Sequence, residues 1–286
     1  LLLPNTDTVT EILSRARTQI NAWLLRHFGT SLYLALSWTP CAADEFRAQE
    51  DGVHGTQAVF RRVSDLLAQE KLCRYDAKQL DDLFTPTSAL NLRHDAAREC
   101  AICRTSTTEL QPYHVDEAVE VCPMCNALYA FGERVLSCDV FCVMAEAGAD
   151  VLPLPGLGRE CYLTAESVEG VERLPQMPVR LYIKNKVYTG EQLATHLWLG
   201  DYTVQADGEV LELAQLAGRS GGAEEETGIR RLGVLRADVD NLGAAFLAGF
   251  PAGYATLTRT AALSRQLSLF FKCYINEICR GKHGME

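Results

Sequence analysis

The sequence predicts an α+β protein in which pieces of ferredoxin-like architecture flank a four-cysteine linker region. Three observations carry this. An amphipathic helix lies between two short apolar runs at the start, two C-x2-C pairs stand near the middle, and an apolar run ending in carboxylates precedes a second helical stretch.

Leu1–Leu3 is a short apolar run closed by Pro4. Asp7 is placed to open a helix in which Ile12, Ala16, Ile20, Trp23, Leu24 and Phe28 form one apolar face, and Gly29 is placed to stop it. Ser31 to Trp38 (SLYLALSW) reads as a returning strand, so residues 1–38 resemble the tail of a ferredoxin-like β-α-β unit. Residues 42–55 are polar and contain glycines, as a loop would. Helical periodicity resumes from Gln57 to Gln69 with Val59, Val63, Leu66 and Leu67 inward, and Gln79 to Leu83 predicts a further helical turn.

Residues 134–215 are strand-rich and punctuated by Pro153, Pro155, Gly156, Gly158, Pro175, Pro178 and Gly190. Gly218 to Thr227, glycine-rich and then acidic, is the best loop or boundary in the chain. After it, Gly228 to Ala237 predicts a buried strand, Leu242 to Phe250 a helix, and Thr258 to Cys279 a longer one. Leu263, Leu267, Phe270, Phe271, Tyr274, Ile275 and Ile278 line that last helix as an ordinary core stripe.

The chain has 286 residues, and nearly half of them are apolar, enough for one large domain or two ordinary ones. A net charge of −10 argues against a general nucleic-acid coat, because phosphate neutralisation needs a basic surface. A local basic patch, or RNA held mostly through partner subunits, remains compatible with it. No apolar run is long enough to span a membrane. Eleven cysteines without secretory features point to a reducing, cytoplasmic setting and to metal use. The first residues lack an initiator Met and signal-peptide order, and the last follow a helix without a cap, so the expectation is a central fragment of a longer protein.

Cys100-Ala-Ile-Cys103 and Cys122-Pro-Met-Cys125 give C-x2-C, eighteen residues, C-x2-C. Two residues between thiolates let one turn present both sulfurs to one ion, and two such knuckles complete a tetrahedral zinc shell. A closed shell of four thiolates leaves no position for water, so the metal is expected to be structural. Cys41, Cys73, Cys138, Cys142, Cys161, Cys273 and Cys279 sit mostly among apolar neighbours and receive no role.

Arg236-Ala-Asp238-Val-Asp240-Asn241-Leu242-Gly243 places two carboxylates at i and i+2 of a strand end, on one side of it. Hard divalent ions take such oxygens, and the N–H groups of Asn241, Leu242 and Gly243 opening a helix suit a phosphate. The bland alternative is that Asp240 caps the helix and Asp238 is solvated. Three other stretches read as structural: His94-Asp95 as a solvated dipeptide, Lys184-Asn-Lys186 as a basic surface strand end, and Gly218 to Gly222 as a linker without a phosphate-loop lysine.

These motifs in this order resemble the large subunit of type III CRISPR RNA-guided effector complexes, the III-A branch best. The matching stretches are LLLPNT (1–6), INAWLLRHFGTSLYLALS (20–37), the cysteine pairs (100–125), GIRRLGVLRADVDNLGAAFLAGF (228–250) and LSRQLSLFFKCYI (263–275). The resemblance implies two palm domains related to GGDEF nucleotide cyclases, with a zinc-binding linker between them. Residues 1–45 would then end the first palm. Residues 46–220 would be the linker region, with its zinc element at 98–130, and residues 221–286 would begin the second palm.

In this family the second palm converts ATP to cyclic oligoadenylate, in antiviral defence, when the complex binds target RNA. The resemblance makes Asp238 a divalent-metal ligand (Mg or Mn with ATP) beside the carbonyl of Val239. It puts Asp240, Asn241, Leu242 and Gly243 around the triphosphate and Ser264 toward the adenine, with Asp238 and Asp240 as the catalytic carboxylates. Implied partners are the other effector subunits, guide RNA and target RNA. The Gly-Gly-Asp-Asp hairpin and the nuclease domain of the family are not in this sequence, so it is expected to hold half a site and to be inactive alone. The competing expectation is a scaffold that holds RNA and small subunits on an inactive palm. A stand-alone GGDEF-type cyclase is disfavoured by cysteine pairs between a palm end and a palm start.

Overall fold

The computed structural model describes residues 1–286 except 48, 51–52, 89, 91–97, 114–117, 149–150, 188–193, 207–208, 220–229 and 282–286. The chain divides into two compact units, Leu1–Leu197 and Trp198–Glu286.

The first unit begins with α1 (Asp7–Phe28), whose N-cap is Thr6 rather than Asp7: the Thr6 Oγ1 accepts from the Val9 N–H at 3.3 Å. Gly29, at φ 56°, ends it as expected, in backbone space that a side chain would strain. Neither predicted flanking strand forms. Leu1–Leu3 are exposed, and residues 32–38 join no ladder. The second segment is instead held by a side chain. Buried Asn21 donates to the Leu34 carbonyl at 3.0 Å and accepts from the Leu34 N–H at 2.8 Å, imitating one strand pairing from a helix.

A two-residue pair, β1 (Gln49–Glu50) with β2 (Val53–His54), leads to α2 (Gly55–Leu72). On α2 Val59 is buried and Val63 and Leu67 half-buried, while Leu66 is exposed. Helix α3 (Ala77–Phe84) is longer than the turn expected at Gln79 to Leu83 and is opened by a capping box between Asp76 and Gln79. Then follow β3 (Gln111–Pro112), its antiparallel partner β4 (Glu120–Val121), and α4 (Pro123–Ser137).

The strand-rich middle becomes a five-stranded sheet. Its members are β5 (Val140–Met144), β6 (Leu152–Leu154), β7 (Cys161–Glu166), β8 (Arg180–Lys184) and β9 (Ala194–Leu197), in the order β6-β7-β5-β8-β9. All pairs are antiparallel except β8 with β9. Central β5 is nearly all apolar because both its faces are covered. Val140, Cys142 and Met144 pack with Ile183 under Val171 and Leu174, beside the short α5 (Val168–Val171). Phe141, on the opposite face, meets Phe131 of α4 with ring centroids 5.9 Å apart.

The second unit contains β10 (Gln205–Ala206) paired with β11 (Glu209–Val210), α6 (Leu213–Gly218) and α7 (Leu242–Ala248). A helical run follows, made of α8 (Leu257–Leu269), a π-helical turn (Phe270–Tyr274) and α9 (Ile275–Cys279). The predicted boundary Gly218 to Thr227 falls mostly outside the described residues, as do His94-Asp95 and the first two residues of the strand predicted at Gly228 to Ala237. The remainder of that strand does not form: residues 230–239 have no regular structure, with Val234 89% and Leu235 93% exposed. An apolar run becomes a strand only against neighbours that complete its ladder, and β10 with β11 is the only strand pair described in this unit. For the same reason Phe270, Phe271, Tyr274 and Ile278 are exposed rather than core.

One polar residue does organise this unit. Buried Asn276 accepts from the Asp201 and Tyr202 N–H groups, each at 3.2 Å, and donates to the Leu199 carbonyl and the Asp201 carboxylate, each at 3.3 Å. Gly200 passes so close to the helical run that an added Cβ would stand 3.2 Å from the Phe271 carbonyl oxygen. Among the described residues no helix is long and apolar enough to cross a membrane.

Candidate metal centre and nucleotide half-site

The two cysteine pairs converge. An isolated bridge between Glu99 and Ser106 folds the first pair into a tight turn, in which the Cys100 N–H donates to the Thr105 carbonyl at 3.1 Å and the Arg104 N–H to the Cys100 carbonyl at 2.9 Å. Arg104 takes φ 61°, the left-handed step that turns both sulfurs to one side. The second pair starts α4: Cys122 is its N-cap, Pro123 fills the first position where no N–H is needed, and Cys125 lies in the first turn. The Ala101 N–H donates to the Glu120 carbonyl at 3.1 Å, and Arg98 grips the Glu120 carboxylate at 2.8 and 3.0 Å, so the two knuckles are laced together.

All four Sγ atoms lie within 4.8 Å of one another, and Cys103 Sγ is 3.8 Å from Cys122 Sγ. Tetrahedral zinc with Zn–S bonds of about 2.3 Å sets its sulfurs about 3.8 Å apart, so the residues fit the ion. The surroundings are small and apolar: Cys100, Val121 and Cys125 are buried against Leu110, Tyr113 and Val119. Burial pushes the Cys100 thiol up, but backbone N–H groups of Cys122, Cys103 and Ile102 outweigh it and bring the group down to about 6. Burial raises Cys122 and drives Cys125 far up, the latter helped by hydrogen bonds with Cys122, Cys103 and Cys100. A metal bound there would take all four sulfurs as thiolates and so expel the protons held by the raised groups.

The other seven cysteines are free. Cys142 is fully buried, and burial lifts its thiol to about 11, which makes it an inert core residue. Cys73 and Cys279 are exposed, against the expectation of apolar surroundings.

Asp238, Val239, Asp240, Asn241, Leu242 and Gly243 lie where the irregular segment meets α7, and both carboxylates are exposed. Asp238 Oδ1 accepts from the Val239 N–H at 2.9 Å. Asn241, at φ 54°, is the N-cap of α7, so Asp240 does not cap the helix, as the bland reading had it. Ser264 is exposed on α8. Asp238 and Asp240 offer the hard oxygens a divalent cation takes. The four cysteines, however, form the only cluster of three or more potential ligands among the described residues.

Lys184, read as surface from the sequence, is buried: its Nζ donates to the Val135 and Leu136 carbonyls of α4 at 2.7 and 3.2 Å. No local signal marks it, because its acceptors are nearly fifty residues away. A cavity of about 370 Å³ in the first unit is lined by Trp38, Leu66, Gln69 and Cys73, with Arg17 and Glu70 on its wall. Those two charges already satisfy each other at 2.6 Å, and Arg17 stacks on the Trp38 ring at 5.2 Å.

The family model described as "Csm1 subunit domain B" matches residues 1–88, and that described as "Cas10/Cmr2, second palm domain" matches residues 231–285. Curated relatives named CRISPR system single-strand-specific deoxyribonuclease Cas10/Csm1 (subtype III-A) align along nearly the whole chain. Those of Mycobacterium tuberculosis and Streptococcus thermophilus are 35% and 34% identical over 97% and 98% of it. That of Enterococcus italicus is 32% identical over 98%. The chain spans about a third (34%) of the length of each of these relatives. Two solved structures share the fold. The crystal structure of Csm1 in T. onnurineus has a TM-score of 0.62 at 23% identity, covering 98% of this chain and 30% of that one. The Csm1-Csm4 cassette in complex with pppApA has a TM-score of 0.67 at 24% identity, covering 98% and 31%.

Proposed function

We propose, on the premise that the chain is homologous to a third of the Cas10/Csm1 large subunit of subtype III-A CRISPR systems, that it supplies half of an ATP-cyclising site and the zinc-stabilised linker ahead of it. In this reading residues 1–45 close a first palm of ferredoxin-like type. Residues 46–220 form the linker region, with its zinc element at 98–130, and residues 221–286 open the second palm. The observation that carries it is the second-palm match over 231–285, which contains Asp238, Asp240, Gly243 and Ser264 together.

The reaction joins the 3′-oxygen of one ATP to the α-phosphorus of another. The bond to the leaving pyrophosphate breaks with its electron pair, and the 3′-proton is lost. A bound Mg or Mn ion would offset the charge building on the transferred phosphoryl group. Asp238 and the Val239 carbonyl are the oxygens that would hold it. The backbone from Asp240 to Gly243 would border the triphosphate, and Ser264 the adenine. Support also comes from the pppApA bound in a solved relative, since that molecule has the composition of two ATP joined with loss of pyrophosphate. The other effector subunits, guide RNA and target RNA complete the proposed setting, in the cytoplasm.

The test is Asp238→Ala in the complete effector complex with target RNA, ATP and Mg or Mn. Cyclic oligoadenylate formation should fall at least ~100-fold, as for loss of a charge-stabilising group, with subunit assembly unchanged on gel filtration. Full activity in that variant would overturn the assignment. A second reading, a structural scaffold with an inactive palm, is favoured by the exposure of Asp238 and Asp240 and by the lack of a third carboxylate beside them among the described residues. Metal-dependent ATP binding by the complete protein separates the two, because a scaffold would bind none.

A further inference from the structure

We propose that α4 is a strut coupling occupancy of the four-cysteine centre to the integrity of the five-stranded sheet, with Lys184 as the residue that anchors its far end. The inference rests on the zinc reading of the cysteines.

At its N-terminus α4 carries two of the four sulfurs, Cys122 at the cap and Cys125 in the first turn. Thiolate charge there faces the positive end of the helix dipole and the N–H groups that lack intrahelical partners. At the opposite end the last carbonyls need donors, and Lys184 at the end of β8 supplies them to Val135 and Leu136 at 2.7 and 3.2 Å. The arrangement is electrostatically polar along its length, with anionic sulfurs at one end and a buried ammonium, 6% exposed, at the other. Between the ends, Arg134 pairs with Glu166 of β7 at 2.7 Å and Phe131 packs on Phe141 of β5.

This geometry makes the two regions interdependent. A helix of fifteen residues is marginal alone in water and is held by what it touches. Removing the ion unties Cys122 and Cys125 from the other cysteine pair and frees the first turn of α4 to fray. If the helix loosens, Lys184 loses the two α4 carbonyls that it donates to. Weakening the hydrogen bonding of a buried ammonium is costly, and the strain falls on β8, which carries it. The Lys184 N–H also donates to the Asp139 carbonyl at 2.8 Å, so the disturbance passes directly to the start of β5.

Hydrogen exchange by mass spectrometry on the 286-residue chain, with zinc bound and after chelation, tests this. Chelation should speed exchange at least tenfold in residues 123–137, 140–144 and 180–184, and leave the reference helix 55–72 within twofold. Lys184→Met should keep one zinc per chain, yet exchange quickly in 140–144 and 180–184 already with zinc bound, so that chelation adds less than twofold there. Lys184→Arg, which keeps the donors, should restore the zinc dependence. The wild-type comparison stands without either variant. If chelation loosens 123–137 while the strands stay protected, or if Lys184→Met behaves as wild type, the coupling is wrong although the zinc reading survives. A chain that binds no zinc overturns that reading and the coupling with it.

Discussion

At the cysteine centre, two sulfurs come from a tight turn, two from the first turn of α4, and all four lie within 4.8 Å. At the Asp238–Gly243 segment the comparable ligands are exposed, and no ladder holds the chain that carries them. Both motifs are short and both are legible by eye, yet only one is assembled. The cysteine centre closes on residues 98–125, where a bridge, a two-residue ladder and a helix start lie within one stretch of chain. The carboxylate segment needs strand neighbours that the described residues do not supply. A motif preorganises itself when its scaffold is local, and waits on other elements when it is not.

The largest expected effect separates the two regions by stability. Cys122→Ser removes one of the four clustered sulfurs while leaving a residue that can still cap α4, so bound zinc should drop from one per chain to none and limited proteolysis should cut within 98–137. Structural zinc contributes folding free energy directly, which is why the loss should be severe. Asp238→Asn, exposed and outside any element, should shift the unfolding midpoint of the same chain by less than about 0.5 kcal/mol equivalent. Comparable destabilisation by the two variants would break the contrast.

The pH dependence comes next. Cys122 and Cys125 are raised, so in the metal-free chain near neutral pH they hold protons that zinc must expel, whereas Cys100, lowered to about 6, is already ionised above that value. Zinc-dependent stability should therefore be present at high pH and be lost as pH falls. At least about two protons should be released per zinc, so that affinity declines roughly 100-fold per pH unit between pH 8 and 6. A competition titration with a chelating dye reads this, and a pH-independent affinity would contradict the thiolate site.

A smaller effect is expected at Asn276, a buried polar anchor of the second unit. Its side chain makes four hydrogen bonds to Leu199, Asp201 and Tyr202. Asn276→Ala removes all four of those hydrogen bonds and should cost on the order of 2 kcal/mol in the unfolding of that unit, read by denaturant titration. Asn276→Asp retains the two N–H contacts but sets a second carboxylate against that of Asp201, so its loss should shrink as pH falls through the carboxylate range. If Asn276→Ala were neutral, the second unit would owe its order to packing alone.

The sequence by itself determined what depends on near neighbours. The α+β class, the helices around 7–28, 55–72, 77–84 and 257–279, and the four-cysteine cluster all follow from periodicity and cysteine spacing, which act over a few residues or one turn. Apolar composition alone misled at Leu1–Leu3, Ser31 to Trp38 and Arg230 to Ala237, because strand identity belongs to a pair of segments rather than to one. Tertiary structure decided the rest. Lys184 looks like a surface residue until α4 brings its terminal carbonyls over β8, and Asn21 and Asn276 look ordinary until each finds backbone groups thirteen and some seventy-five residues away. A buried polar group is placed by the hydrogen bonds it must complete, and its partners are specified only once the chain has folded around them.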